Sequence, residues 1–134
     1  MYGFGIVAGE GSLITGCTAN SNELNGIQVS DRCIVSGNSC DGNGTLASPA
    51  TTEAAGIHAT GTGNRIENNN VTRNDRGIDV DGTGNLIVKN SASGNGTNYD
   101  IVNGNSYGPI YNAAGVGEIS QSESSSHPLV NLEF

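Results

Sequence analysis

His58 and Asp79 stand 21 residues apart, each directly after a Gly-Ile pair (Gly56-Ile57-His58 and Gly77-Ile78-Asp79), and Asp81 follows two residues on. An imidazole beside a carboxylate is a pairing that general acid–base chemistry uses, so His58 and Asp79 are the candidate catalytic residues. Asp79 and Asp81 also form an Asp-x-Asp pair of hard oxygen donors, which makes calcium the one cofactor the residues suggest. Two carboxylates alone are fewer than the roughly six to eight oxygens that calcium takes. Gln28, after Gly26-Ile27, occupies the position of His58 in the preceding repeat, and Ser30 and Thr60 occupy that of Asp81. Gln28, Ser30, His58, Thr60, Asp79 and Asp81 therefore form a candidate ligand-binding strip. The competing reading is a solvated face, in which His58 over Asp79 is a cross-strand pair worth under about 1 kcal/mol.

For these side chains to be neighbours, the chain must return to the same place once per repeat. Gly-Ile recurs at Ile6, Ile27, Ile57 and Ile78, and a second apolar column runs Ile14, Val35, Ile66 and Ile87. Cys17, Asn38, Asn69 and Asn90 follow, then Ala19, Cys40, Val71 and Ala92, then Asn22, Asn43, Asn74 and Asn95. The period is 21 residues, lengthened to 30 or 31 between the second and third copies. Alternation such as Ile78-x-Val80 marks short strands with one buried face, and the Asn and Gly between them mark sharp corners. Three short strands per unit describe one coil of an all-β, right-handed parallel β-helix of about four to five coils. Stacked coils put each corner Asn beside the next, where one side-chain amide can donate to another.

The coils are expected over 1–106, with an insertion at 45–54 beside the outer face of the first strand. On that face the outer columns read Val7, Gln28, His58, Asp79, Val102 and Gly9, Ser30, Thr60, Asp81, Asn103. A capping segment and tail are expected over 107–134, with 107–116 covering the end of the stack. Residues 120–126 read as a mobile serine-rich stretch, and 129–134 as docking back through Leu132 and Phe134. The repeat starts within five residues of Met1, leaving an apolar edge of unpaired strands; either the chain self-associates through this N-terminal end or it is the C-terminal piece of a longer β-helix.

Composition narrows the functions. The chain carries a net charge of −8 with five Lys and Arg, so it lacks the basic face that nucleic acid requires. It has no apolar run long enough to span a membrane. The start, Met1-Tyr2-Gly3-Phe4, has neither the basic nor the apolar region of a secretory signal, although the composition suits a secreted or cell-surface protein. Cys17, Cys33 and Cys40 form an odd set without metal-ligand spacing and read as buried thiols.

The runs Gly61-Thr62-Gly63-Asn64-Arg65-Ile66-Glu67-Asn68-Asn69-Asn70 and Gly82-Thr83-Gly84-Asn85-Leu86-Ile87-Val88-Lys89-Asn90 resemble pectin-lyase-like β-helix repeats. More narrowly, they resemble NosD-like (CASH-type) repeats of bacterial carbohydrate-associated and surface proteins. The resemblance implies the fold and contact with polysaccharide on the outer face of the first strand. The polygalacturonase-like set of Asn-Thr-Asp, Asp-Asp, Gly-His-Gly and Arg-x-Lys is missing, as is the Asp-Pro-His-Glu of alginate epimerases. No Arg is expected on the face that carries Asp79 and Asp81. The leading expectation is a non-catalytic structural or carbohydrate-associated module, and the alternative is a small polysaccharide lyase or hydrolase.

Overall fold

The computed structural model describes residues 3–44, 54–115 and 126–134. The insertion expected at 45–54, apart from Ala54, and the serine-rich stretch 120–126, apart from Ser126, lie outside the described residues. Three parallel sheets wind as a β-solenoid of about five coils with three strands per coil. The first sheet stacks β1 (Ile6–Ala8), β4 (Ile27–Val29), β7 (Ala55–Ala59), β10 (Arg76–Val80) and β13 (Thr97–Ile101). The second stacks β2 (Leu13–Thr15), β5 (Ile34–Ser36), β8 (Arg65–Glu67), β11 (Leu86–Val88) and β14 (Ser106–Tyr107). The third stacks β3 (Thr18–Asn20), β6 (Ser39–Asp41), β9 (Asn70–Thr72), β12 (Ser91–Ser93), β16 (Asn131–Glu133) and β15 (Ile110–Asn112), in that order.

The register pairs the repeat columns as the period demands: Ile27 with Ile57, Val35 with Ile66, Cys40 with Val71. Ile27, Ile57, Ile66, Ile78 and Ile87 are fully buried, each contributing about 1.5–3 kcal/mol by leaving water.

Each corner follows one rule. A residue in the left-handed region comes first, and the next residue is a ladder residue whose side chain turns inward. Gly37, Asn68 and Lys89 (φ 68, 56 and 58°) precede Asn38, Asn69 and Asn90, while Gly42, Arg73 and Gly94 (φ 65, 54 and 62°) precede Asn43, Asn74 and Asn95. The corner between the first and second sheets carries a third ladder of Asn64, Asn85 and Asn105. At Asn69 every polar atom of the side chain has work. Asn69 Oδ1 accepts from the backbone N–H and the Nδ2 of Asn38, and Asn69 Nδ2 donates to Val35 O and Asn90 Oδ1.

The ladder also explains the glycine of the Gly-Ile pair. A Cβ on Gly26 would lie 2.7 Å from Asn43 Nδ2 and 2.7 Å from Gly56 O, so the ladder amide and the next coil occupy the space a side chain needs. The fifth coil has Asn98-Tyr99 where earlier coils have Gly-Ile, and there Asn98 Oδ1 accepts from Asn95 Nδ2.

The thiols take repeat positions. Cys40 is buried among the apolar residues, and burial pushes its pKa to about 12, which leaves it inert as a nucleophile. Cys33 fills a ladder slot, its Sγ donating to Gly9 O at 3.1 Å. Cys17 holds the corresponding slot of another ladder but is half-buried, not buried as expected, because it lies on the end coil.

The C-terminal end partly departs from expectation. The tail docks back as expected and half-buries Leu132, but Phe134 is 52% exposed and takes little part. Its strand β16 enters the third sheet between β12 and β15, and the buried Asn131 takes the ladder slot after Asn90. The fifth coil turns its own corner at Gly108-Pro109, which has no Asn to extend the ladder, so the tail supplies one.

Candidate functional site

The strip lies on the outer face of the first sheet. Gln28, His58 and Asp79 are register partners on β4, β7 and β10. The column continues with Asp100 on β13, not with Val102. Tyr99, not Ile101, pairs with Ile78 in the inward column, which shifts the fifth coil by two residues from the expected alignment. Asp100 therefore joins the site, and Val102 moves beside Asp81, whose column does not continue into Asn103.

Asn25 organises the imidazole. The backbone N–H of Ala55 donates to Asn25 Oδ1 at 2.6 Å, which fixes the amide orientation. Asn25 Nδ2 then spends its two protons on Gln28 Oε1 at 2.9 Å and His58 Nδ1 at 3.0 Å. With Nδ1 accepting, the network assigns the ring proton to Nε2, which donates to Asp81 Oδ2 at 2.9 Å. Asp79 Oδ2 lies 3.9 Å from the same Nε2.

Asp79 is 3% exposed, so this part of the strip is not a solvated face. Burial pushes its carboxyl above the usual carboxylate range, against the opposing pull of His58 and Arg76. Arg76 also departs from expectation. It stands at the start of β10, and its Nη1 lies 3.0 Å from Asp79 Oδ2 and 3.2 Å from Asp100 Oδ2. An arginine does sit on this face, because the residue before the Gly-Ile pair reaches round the corner onto it.

The structure thus brings Gln28, His58, Asp79 and Asp81 together with Asn25, Arg76 and Asp100, which the repeat columns do not single out. Asn25 and Arg76 share one column, the position preceding Gly26 and Gly77, and that column is the signal the sequence offers. Ser30 and Thr60 stay apart: Thr60 Oγ1 donates to Val29 O, and the Ser30 hydroxyl makes no hydrogen bond with the cluster.

One ligand atom from each of His58, Asp79 and Asp81 falls within 4.8 Å of the others. An imidazole with two carboxylates suits a borderline transition metal better than calcium, whose sites are built from oxygens. The surroundings oppose any metal at Nε2, however. A metal there would move the ring proton to Nδ1, which faces the amide donor of Asn25 where a metal-bound histidine needs an acceptor. Chemically, the cluster offers one buried acid, one exposed carboxylate, a guanidinium bridging two aspartates and an imidazole N–H of fixed direction.

Comparison of the chain with protein-family models, with curated proteins and with solved structures finds no match.

Proposed function

We propose that the chain is a structural, carbohydrate-associated β-solenoid module of the pectin-lyase-like, NosD-like kind that holds glycan on the outer face of the first sheet and self-associates through its N-terminal coil. The observation that carries the glycan contact is the Asn25–His58–Asp81 relay beside Asp79 and Arg76. It is a rigid set of donors and acceptors on one face, with side-chain directions fixed before any ligand arrives. The net charge of −8 favours neutral glycans, or uronates bridged by calcium, over free polyanions.

A second reading follows from one observation: Asp79 is a buried carboxyl held protonated more readily than usual, 3.9 Å from an imidazole nitrogen. That is the acid component of a polysaccharide lyase or hydrolase.

Affinity electrophoresis against neutral and acidic polysaccharides, with and without calcium, tests both, using the wild type, His58→Ala and Asp79→Asn. The module reading expects retardation of the wild type that both variants lose, with no new reducing ends or unsaturated products. Product formation lost in the same variants moves the assignment to the enzyme. Absence of retardation across the panel overturns the glycan contact.

A further inference from the structure

The two ends of the solenoid are finished differently. At the C-terminal end each last ladder asparagine spends both amide protons within the chain. Asn95 donates to Val71 O and Asn98 Oδ1, Asn105 to Gly82 O and Val102 O, and Asn131 to Ile87 O and Gly108 O. The Tyr99 hydroxyl closes the interior, its one proton placed between Leu132 O at 2.8 Å and Asn90 O at 3.0 Å. The last strand of the second sheet has two residues, and Pro109 precedes the last strand of the third, both devices that blunt a sheet edge.

At the N-terminal end β1, β2 and β3 each pair on one side only. Their nine residues include no charge and no proline. Phe4, Val7 and Leu13 are 43, 62 and 65% exposed. Asn22 gives one Nδ2 proton to Asn43 Oδ1. Among the described residues its other Nδ2 proton and its Oδ1 have no partner.

We propose that two copies of this chain join N-terminal end to N-terminal end across a two-fold axis, an inference that rests on the self-association proposed above. In a ladder, each coil donates to the coil after it. Head-to-tail stacking would therefore ask the C-terminal asparagines to donate to Asn22, and their protons are already spent. An amide with one free proton and one free oxygen instead matches its own copy, and a strand edge matches its own copy in antiparallel pairing. The Asn22 corner lies between the third and first sheets, opposite the second. An axis through that corner and β2 sets β2 antiparallel to its counterpart and Asn22 against the partner's Asn22. The result is a closed dimer with both blunted ends outward, not a filament.

Sedimentation velocity over a concentration series, on the full chain, tests this with Leu13→Lys at one end and Ile110→Lys at the other. Both positions are exposed in the single chain, so the fold is retained, and far-ultraviolet circular dichroism checks it. The expected result is a dimer weakened at least tenfold by Leu13→Lys and unchanged by Ile110→Lys. A monomer at every concentration overturns both this proposal and the self-association beneath it. Open-ended oligomers that Ile110→Lys disrupts overturn the two-fold arrangement alone. A dimer indifferent to Leu13→Lys overturns the placement at the N-terminal end.

Discussion

The molecule holds two polar systems that handle buried polar groups in opposite ways. The corner ladders are neutral and periodic, with Asn43, Asn69 and Asn74 each using both amide protons and accepting two hydrogen bonds. The cluster on the first sheet is charged and occurs once, and it places the buried Asp79 among groups that pull its ionisation both ways. A neutral array with matched donors and acceptors stabilises a fold; a buried carboxyl with a raised pKa works against it. The difference separates architecture from the residues free to serve a ligand.

The largest expected effect tests that separation directly. Asn69→Leu takes the acceptor from the Asn38 N–H and from one Asn38 Nδ2 proton, and the donor from Val35 O, while Asn90 Oδ1 keeps only the Asn69 backbone N–H; the change is expected to cost about 3 kcal/mol or more, read as a lowered urea midpoint. Asp79→Asn, of nearly equal size and burial, is expected to leave the protein at least as stable as wild type at pH 7. The pH dependence follows from the sign of the shift. A carboxyl whose folded pKa is raised stabilises the fold only when protonated, and that contribution is lost as pH rises through the folded value. The advantage of Asp79→Asn over wild type should therefore shrink as pH falls toward the ordinary aspartate range. Asp41 carries the opposite sign, since its hydrogen bond from Arg73 holds its carboxyl low and loses its contribution in acid. If Asp79→Asn destabilises as much as Asn69→Leu at pH 7, the two systems are not distinct.

The same contrast decides how much can be read from the sequence. A ladder repeats, so Asn38, Asn69 and Asn90, and Asn43, Asn74 and Asn95, declare themselves by period. The third ladder shows only as a corner column, because its early slots hold Ser12 and Cys33, and Asn appears only from Asn64 onward. Asn131 is not legible as a ladder member, since it reaches Asn90 from 41 residues away through a tail strand. A functional cluster does not repeat. His58, Asp79, Asp81 and Gln28 stand out because they share columns. Asn25 and Arg76 do not, because their column, Phe4, Asn25, Ala55, Arg76, Thr97, has no common chemistry. Asp100 is hidden by the lost Gly-Ile pair, which removes the anchor that fixes register.

A second substitution exchanges the logic of the two systems at a single atom. Asn25→Asp keeps an acceptor for the Ala55 N–H but replaces the amide donor facing His58 Nδ1 with an acceptor. The ring proton is expected to move to Nδ1, leaving Nε2 free beside Asp79 and Asp81 in a carboxylate–histidine–metal arrangement. Nitrogen-15 NMR of His58 should report the Nε2–H tautomer in wild type and its change in the variant. Zinc should raise the melting temperature of Asn25→Asp and bind it about 10–100-fold more tightly than wild type, the range that partners of a metal-binding histidine command. Equal zinc response in the two proteins would refute the assigned role of Asn25.

The smallest effect concerns the backbone on which each system rests. The repeat corners require the left-handed conformation at the residue before each asparagine, Asn131 of the tail strand excepted, whereas the strands of the site run extended. Gly37 (φ 68°) and Gly9 both face open space, with nothing within 4 Å of the point a methyl group would occupy, so an alanine at either place reports conformation alone. Gly37→Ala is expected to cost about 1 kcal/mol, because an L side chain is strained there. Gly9→Ala, in the outer column of Ser30 and Asp81, should be neutral or slightly stabilising through the reduced freedom of the unfolded chain. The reverse change, Lys89→Gly at φ 58°, should relieve the strain at some cost in unfolded-chain entropy, for a net gain of about 0.5 kcal/mol. Urea midpoints for the three variants place them on one scale. A penalty at Gly9 equal to that at Gly37 would mean that the corners hold no special backbone demand, and that the asparagine side chains alone shape the coil.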